Sequence, residues 1–470
     1  MSTFSFPATK PISSFTMSTG ISDKATGVGL PFADYDYDPL YSSNNERYNR
    51  DLEGVEENSN NRWRRRLLGC FALLSLWALA RELVKGHKIN CNKTYPSWIR
   101  GNPRSYPIPP DVILGKCIDW ESNEGTVSQT SHSVSGTFND LALDPGLFFI
   151  SGGSSSYGTF VVSQTSDESE LGDKAVATVG VVVNYLEQGF LDIVKVCKVA
   201  RFDGTTGVGI FTPRWRDRHP RNPRSPPFHI HVKLPKAFVP SFETDLPLFS
   251  QNVTGLREGT IFRNLSLKSV NEPIRVEFAR GENISVHTVN SPIEGTFRTN
   301  SSISLKTDNA PILVDLELHH GNTTERTKAD LVTTNDRIIA TTNLTTSDRN
   351  DGGKFSVSAS TVRGRISLDF PEAPVDHALD LDAVTVLDKI DVRLHPAYQG
   401  SFQLKTVLDR VKLQVNDSVE DPAGKNRKRV VQTTSVTSNV LDGATWWEEE
   451  YRKLGSVLLK TTLGSVVLSL

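Results

Sequence analysis

Charge of one sign is missing from this chain. Its 52 lysines and arginines meet 54 acidic residues, a formal net charge of −2, so no electrostatic footprint for nucleic acid is present. Cysteine is scarce, with four in 470 residues and no Cys-x-x-Cys pair, which excludes a thiolate metal site built from such pairs. No Ser-His-Asp or His-Glu-x-x-His signature occurs, and no cofactor motif appears. "DGTTGVG", Asp203 to Gly209, is glycine-rich but opens no helical pattern, so it reads as a turn rather than a phosphate cradle. Long apolar runs are lacking as well, apart from the one at Leu67–Ala80.

Repetition takes their place. "KSVNEPIRV", "HTVNSPIEG" and "KTDNAPILV" write one corner three times between Lys268 and Val314. Aligned on it, seven positions recur at offsets 0, 2, 4, 6, 9, 11 and 13. The first set is Leu265, Leu267, Ser269, Asn271, Ile274, Val276 and Phe278. The second is Ile284, Val286, Thr288, Asn290, Ile293, Gly295 and Phe297, and the third runs from Ile303 to Leu316 through Thr307 and Asn309. A fourth unit keeps Thr333 and Asn335. Weaker units start at Phe355, Leu381 and Phe402, and an eighth, Val457 to Leu470, closes the chain. In the later corners Thr361, Leu387, Leu408 and Leu463 stand where asparagine stood.

Steps of two place side chains on one face of a strand. The single step of three turns the chain at Asn-x-Pro, where the residue before proline is held extended. One such coil cannot stand alone: ordering costs roughly 1.5 kcal/mol per residue, and each buried aliphatic side chain returns about 2 kcal/mol. Coils must therefore stack. The expected fold is mainly β: a β-solenoid over 257–416 and 457–470, preceded by a β-rich region at 126–256. A sandwich of short hairpins is the competing architecture. Asn271, Asn290, Asn309 and Asn335, with Thr288, Thr307 and Thr333, are expected to form hydrogen-bonded ladders at the corners. A row of polar groups gripping sugar or a cation is the functional alternative.

Residues 1–61 are polar, without apolar periodicity, and are expected to be a disordered cytosolic tail. "RWRRRLLGCFALLSLWALARELVKGHK" then places four arginines before an uncharged run of fourteen residues, Leu67–Ala80. As a helix that run spans about 21 Å, short of the roughly 30 Å hydrocarbon core; Trp63, Leu83 and Val84, with snorkelling of Arg66 and Arg81, lengthen it. A signal-anchor helix over 62–86 follows as the expectation, against a buried soluble helix or a leader cleaved after Ala78-Leu79-Ala80. The arginines stay cytosolic, which makes a single-pass type II protein with a stem at 87–125 and an extracellular or lumenal body. Eight Asn-x-Ser/Thr acceptors lie downstream, at Asn92, Asn252, Asn264, Asn283, Asn300, Asn322, Asn343 and Asn416, and none before the arginines. None of them takes an inward place in the repeat. Three cysteines, Cys91, Cys117 and Cys197, share the lumenal side; one pair forms and one is left over, and Cys91 with Cys117 would brace the stem.

Within 126–256, "RWRDRHPRNPRSPP" carries five arginines from Arg214 to Arg224, read as a solvated proline-rich loop with an anionic glycan or headgroup site as the alternative. His229 and His231 alternate on one strand face without a nearby carboxylate or thiol, so they are expected to be exposed rather than metal ligands. The insert 417–456 ends "KNRKR" in a dibasic pair, Lys428-Arg429, an exposed loop or a protease site. Its "LDGATWWEEEYRKL" reads as a short helix N-capped by Asp442, with Trp447, Tyr451 and Leu454 on the face that caps the core.

The arginine-led anchor and the Thr-x-Asn corners of 265–342 resemble those of fungal membrane-anchored β-repeat proteins related to the putative-adhesin family, over roughly residues 62–470. The resemblance implies a protein of the cell surface or endomembranes, and it supplies no catalytic residues. Two functions follow. One is a non-enzymatic, N-glycosylated adhesin-like module that binds glycan, wall polymer or a surface protein. The other is a polysaccharide lyase or hydrolase, for which the outward acids Glu282, Glu294, Asp308, Asp315, Asp330 and Asp391 stand at no repeated offset.

Overall fold

The inward apolar residues of successive units stand directly over one another in a computed structural model. It describes residues 106–120, 126–127, 132–165, 176–185, 188–214, 228–235, 237–256, 259–321, 323–347 and 352–470. The tail 1–61, the anchor 62–86 and the stem as far as residue 105 lie outside them, as do Asn92, Asn322 and most of the arginine loop. Among the described residues no helix is long and apolar enough to cross a membrane.

The described residues are mainly β, and among them 27 strands join into one hydrogen-bonded sheet. On one side Leu265, Ile284, Ile303, Ala329, Val357 and Leu381 pair in register through parallel strands. Ile274, Ile293, Ile312, Ile338, Ile366 and Ile390 form the second file. These residues are at most 2 % exposed. Parallel in-register pairing of whole coils leaves no place for the hairpins of a sandwich, because each strand's partner is one coil away rather than one turn away.

The frame itself moves at two places. In the first unit a bulge between Val276 and Ala279 turns Ala279 inward in place of Phe278 and sets it opposite Phe297. In the fifth, Val357 rather than Phe355 pairs with Ala329. Thr361 therefore stands in the threonine column, Arg363 takes the asparagine position, and Phe370 closes the unit, 1 % exposed.

Stacking also begins before residue 257. Phe238–Asp245 pairs in parallel with both Ile261–Lys268 and Leu147–Gly152, and Leu147–Gly152 pairs in turn with Thr206–Phe211. Phe249–Val253, Gly158–Gln164 and Phe228–Leu234 repeat that order on the other side. Thr244 and Gln251 occupy inward slots here, joined by a 2.7 Å hydrogen bond; two buried polar side chains interrupt the alternation that marks the later units.

Both ends of the stack depart from chain order. Leu147–Gly152 lies between Thr206–Phe211 and Phe238–Asp245. Gly455–Lys460 of the last unit lies between Ala378–Val384 and Gly400–Lys405. The threonine column records this threading. Thr461 Oγ1 donates to the Asp388 carbonyl at 2.9 Å, and Thr406 Oγ1 to that of Gly464 at 2.8 Å. A final coil placed beyond Gly400–Lys405 would make neither bond.

The insert 417–456 contains no α-helix. Val440–Trp446 is a strand running antiparallel to Gly400–Lys405, Val430–Val436 pairs outside it, and only Glu449–Tyr451 forms a single 3-10 turn. An unpaired strand edge outweighs a weak helical pattern: Asp442 accepts from Gln403 Nε2 at 2.8 Å instead of capping a helix. Of the expected capping face Trp447 is buried, its Nε1 donating to the Pro396 carbonyl at 2.9 Å, while Tyr451 and Leu454 are half-buried. "DPAGKNR" is closed by Arg427, which is bidentate on Asp421 at 2.8 and 2.9 Å and reaches Glu448 at 2.6 Å. These bonds hold the Asp421 carboxyl well below the usual carboxylate range.

Antiparallel strands cover the opposite end. Val112–Cys117 lies on Lys195–Arg201, which lies on Thr206–Phe211. A disulfide between Cys117 and Cys197 ties the outer pair, so Cys197 is the partner of Cys117 and Cys91 lies outside the described residues.

Corner backbones pack tightly wherever the spatial order alternates Asp336, Gly364, Asp388, Gly464 and Asp409. A Cβ on Gly364 would stand 1.8 Å from the Asp336 carbonyl oxygen, and one on Gly464 2.0 Å from that of Asp388. Gly464→Ala is therefore expected to destabilise the protein by about 1–3 kcal/mol, while Gly321→Ala, with nothing within 4 Å of the added Cβ, leaves the thermal melting point nearly unchanged. Acid adds a second expectation. Burial depresses the His377 pKa from 6.5 to about 4. The unfolded chain then binds the extra proton between those values, so this contribution is complete above pH 6.5 and is lost as pH falls towards 4. Melting temperature should drop across that window by the equivalent of about 3 kcal/mol.

Candidate functional site

Because the coils are in register, outward side chains also form rows, spaced by the roughly 4.8 Å between strands. One row reads Glu243, Ser266, Ser285, Ser304, Asp330 and Ser358 across successive coils. On the facing side Asn252, Arg275, Glu294, Leu313 and Ile339 align. The corner carries a third row. Asn290 Nδ2 donates to Asn271 Oδ1 at 2.7 Å, Asn309 to Asn290 at 2.7 Å, and Asn335 to Asn309 at 2.6 Å. These asparagines are exposed; Asn290 and Asn309 both give and receive along the stack, while Asn271 at one end only accepts and Asn335 at the other only donates. The threonines behind them are buried and donate to backbone rather than to one another: Thr333 to the Ala310 carbonyl at 3.0 Å, Thr307 to Val289 at 3.4 Å, Thr288 to Ser291. Beyond Asn335 the column continues as Arg363, Leu387, Leu463 and Leu408, and all three leucines are exposed.

The outward acids are spread along these rows, four of them beside cations. Glu294 meets Arg275 at 2.9 Å, Asp330 meets Lys306 at 3.4 Å, Asp391 meets Lys389 at 3.7 Å, and Glu282 meets Arg263 at 3.9 Å. Asp315 stands in register between Thr296 and Thr341, and Asp308 is exposed at the corner. His229 and His231 point outward, hydrogen-bonded to the Thr159 and Ser163 hydroxyls at 2.9 and 2.7 Å. Burial, with Lys233 beside it, lowers the His231 pKa.

Two concavities interrupt the rows. One, of about 410 Å³, lies at the corner between Asn335, Arg337, Arg363, Arg365 and Asp388. The other, of about 260 Å³, opens on the opposite edge among Phe238, Ile261, Arg280, Arg298, Asn300 and His319. Arg280 and Arg298 are direct register partners on neighbouring coils. Arg298 reaches Glu317 at 3.2 Å, whereas Arg280 has no carboxylate partner among the described residues. The Arg263 guanidinium lies 5.1 Å from the Phe238 ring centroid, and Phe238 is 45 % exposed. His319 is hydrogen-bonded at both ring nitrogens, to Thr345 and Ser347 at 3.1 and 2.8 Å; burial first, then Arg298 and Arg280, lower its pKa. Sequence reasoning passed over this cleft because the bulge before Ala279 shifts Arg280 out of the repeating offset, so its apposition to Arg298 is invisible in an alignment.

No protein-family model matches this chain, and no curated protein matches it in sequence. Among solved structures, a putative cell adhesion protein from Clostridium sporogenes is 7 % identical over 71 % of this chain and 99 % of its own, with a TM-score of 0.18. A putative adhesin from Bacteroides fragilis is 8 % identical over 72 % and 96 %, with a TM-score of 0.26. Superpositions of that quality establish no functional relationship.

Of the acceptor asparagines, Asn264, Asn283, Asn300 and Asn416 are exposed, and Asn252 is half-buried on an outward position. Asn343 is half-buried too, and its Oδ1 is enclosed without a hydrogen-bond partner. Asn264 and Asn283 are register partners, joined by a 3.2 Å hydrogen bond from Asn283 Nδ2 to Asn264 Oδ1. Two glycan cores cannot start from amides on adjacent strands about 4.8 Å apart. Mass-spectrometric mapping of protein from a eukaryotic host is expected to find peptides modified at one of these two positions and none at both, with Asn343 less occupied than Asn416.

Proposed function

We propose that the chain is a non-enzymatic, membrane-anchored, N-glycosylated β-solenoid that presents an adhesin-like binding surface outside the cell or in the secretory lumen. The observation that carries this reading is the set of outward rows. Rows that run in register over many coils suit an extended partner, such as a wall polymer or glycan, because weak contacts along its length multiply. The Cys117–Cys197 disulfide supports an oxidising compartment. Exposure of Asn264, Asn283 and Asn416 supports a glycosylated body, and the arginine-led apolar run supports an anchor that leaves the body on the far side of the membrane.

Full-length protein made in a eukaryotic host tests both halves. Glycosidase digestion is expected to shift its mobility, and protease added outside sealed cells or vesicles oriented with the lumen outward is expected to reach the body but not residues 1–61. Cells displaying the protein should adhere to surfaces coated with a polysaccharide more than cells without it. An unmodified cytosolic chain would overturn the topology, and display without adhesion to any polysaccharide coat would overturn the binding role.

A further inference from the structure

We infer that the cleft between Phe238 and Arg280 binds one acidic sugar unit, a saccharide ring that carries a carboxylate. The assignment rests on the binding reading above and names its ligand class. It starts from an electrostatic oddity. Arg280 and Arg298 face each other across neighbouring parallel strands, an arrangement in which like charges disfavour pairing. Three guanidiniums, those of Arg263, Arg280 and Arg298, share the cleft and its rim with two carboxylates, Glu282 and Glu317. His319 adds little charge at neutral pH, since burial first and then Arg298 and Arg280 hold its pKa below 6.5. One positive charge is left over, on Arg280, and a monoanion balances it. The planar fork of a guanidinium takes a carboxylate through two parallel N–H donations.

The rest of the cleft suits a ring rather than a bare ion. Phe238 and Ile261 give it an apolar wall, and the exposed part of the Phe238 ring offers the flat apolar body against which a sugar's C–H face packs. The Asn300 side chain at the mouth supplies a donor and an acceptor for hydroxyls. Thr299 is buried, its hydroxyl donating to the Glu282 carbonyl at 2.6 Å, and so fixes the floor. At about 260 Å³ the space is smaller than the roughly 300–1,000 Å³ of sites for drug-sized ligands, which limits occupancy to a single ring of a longer chain. The larger corner concavity has cations too, but its lining of Asn335, Arg337, Arg363, Arg365 and Asp388 offers no apolar wall.

The cleft requires Asn300, which lies in an Asn-x-Ser sequon, to be free of glycan, so mass-spectrometric mapping of eukaryotic protein is expected to find it unoccupied, and the binding test uses full-length protein in detergent from a bacterial host. Calorimetry with a trimer of galacturonic acid is expected to show binding that weakens as salt is raised, and a neutral galactose trimer should bind at least tenfold more weakly. Arg280→Gln is expected to lower affinity for the charged trimer roughly ten- to hundredfold with the melting temperature unchanged. Phe238→Ala should weaken it too, and Lys412→Gln, on the last coil, should not. Equal binding of the neutral trimer, unaltered binding by Arg280→Gln, or inorganic sulfate binding as tightly as the trimer would overturn the assignment. Failure here is separable from failure of the general reading. Displayed Arg280→Gln protein that adheres as strongly as wild type leaves the adhesive role standing without this cleft. A cleft that binds the trimer in a protein that adheres to nothing leaves the reverse.

Discussion

Parallel pairing in register is the constraint from which the other features descend. Once Ile274, Ile293, Ile312 and Ile338 stand over one another, every other residue of a coil is assigned a neighbour above and below at a fixed spacing. Asparagines at one offset must then meet asparagines, and they bond in a line. Arginines brought into line must face each other, as Arg280 and Arg298 do. Acceptor asparagines a coil apart, Asn264 and Asn283, become side-by-side. A globular core tolerates such coincidences by moving one partner aside, whereas a register shared by every coil does not.

A stack has two ends, and each leaves backbone groups and apolar core without a neighbour. This chain closes one end with antiparallel strands on both sides, the outer pair tied by Cys117–Cys197. At the other end Val440–Trp446 and Val430–Val436 cover only the Gly400–Lys405 side. Val411–Gln414 pairs with Val466–Ser469 alone, and its inward residues Val411 and Leu413 are half-buried rather than buried. Threading the final unit one coil inward gives the chain's last strands partners on both edges, where an outermost strand would fray. The alternation of aspartate with glycine along the corner makes that order specific, since a side chain at Gly364 or Gly464 collides with the carbonyl of the coil beneath.

Repetition also frames the functional reading. Rows of outward side chains in register give breadth without depth, and breadth suits polymers bound through many weak contacts. The cleft around Arg280 is the local exception, where a bulge breaks the row and converts two stacked arginines and an exposed phenylalanine into a pocket. Breadth and pocket are compatible: a repeating acidic polymer can lie along the rows while one of its rings enters the cleft.

The spacing of apolar residues by itself determined that the chain is mainly β, that its units are strand, corner and strand, and which side chains face inward in most of them, because alternation and a fixed three-residue step are local properties of a strand and a turn. It also determined where asparagines and threonines recur. Tertiary structure decided what those columns do. The asparagines bond to one another across coils, and the threonines bond to backbone carbonyls of their own or a neighbouring coil. Five further matters were not legible. Thr244 and Gln251 fill two inward slots with polar side chains that bond each other, so the repeat frame breaks off before residue 257 although the other inward residues of the earlier coils are apolar. A one-residue bulge at Val276–Ala279 and the shifted fifth unit changed which residue faces inward without changing composition. Val440–Trp446 became a strand against its helical pattern because Gly400–Lys405 offered an open edge, and the final unit's place inside the stack depended on corner contacts between residues far apart in sequence. Local periodicity fixes what a segment can be; which edge it meets is a property of the assembled stack.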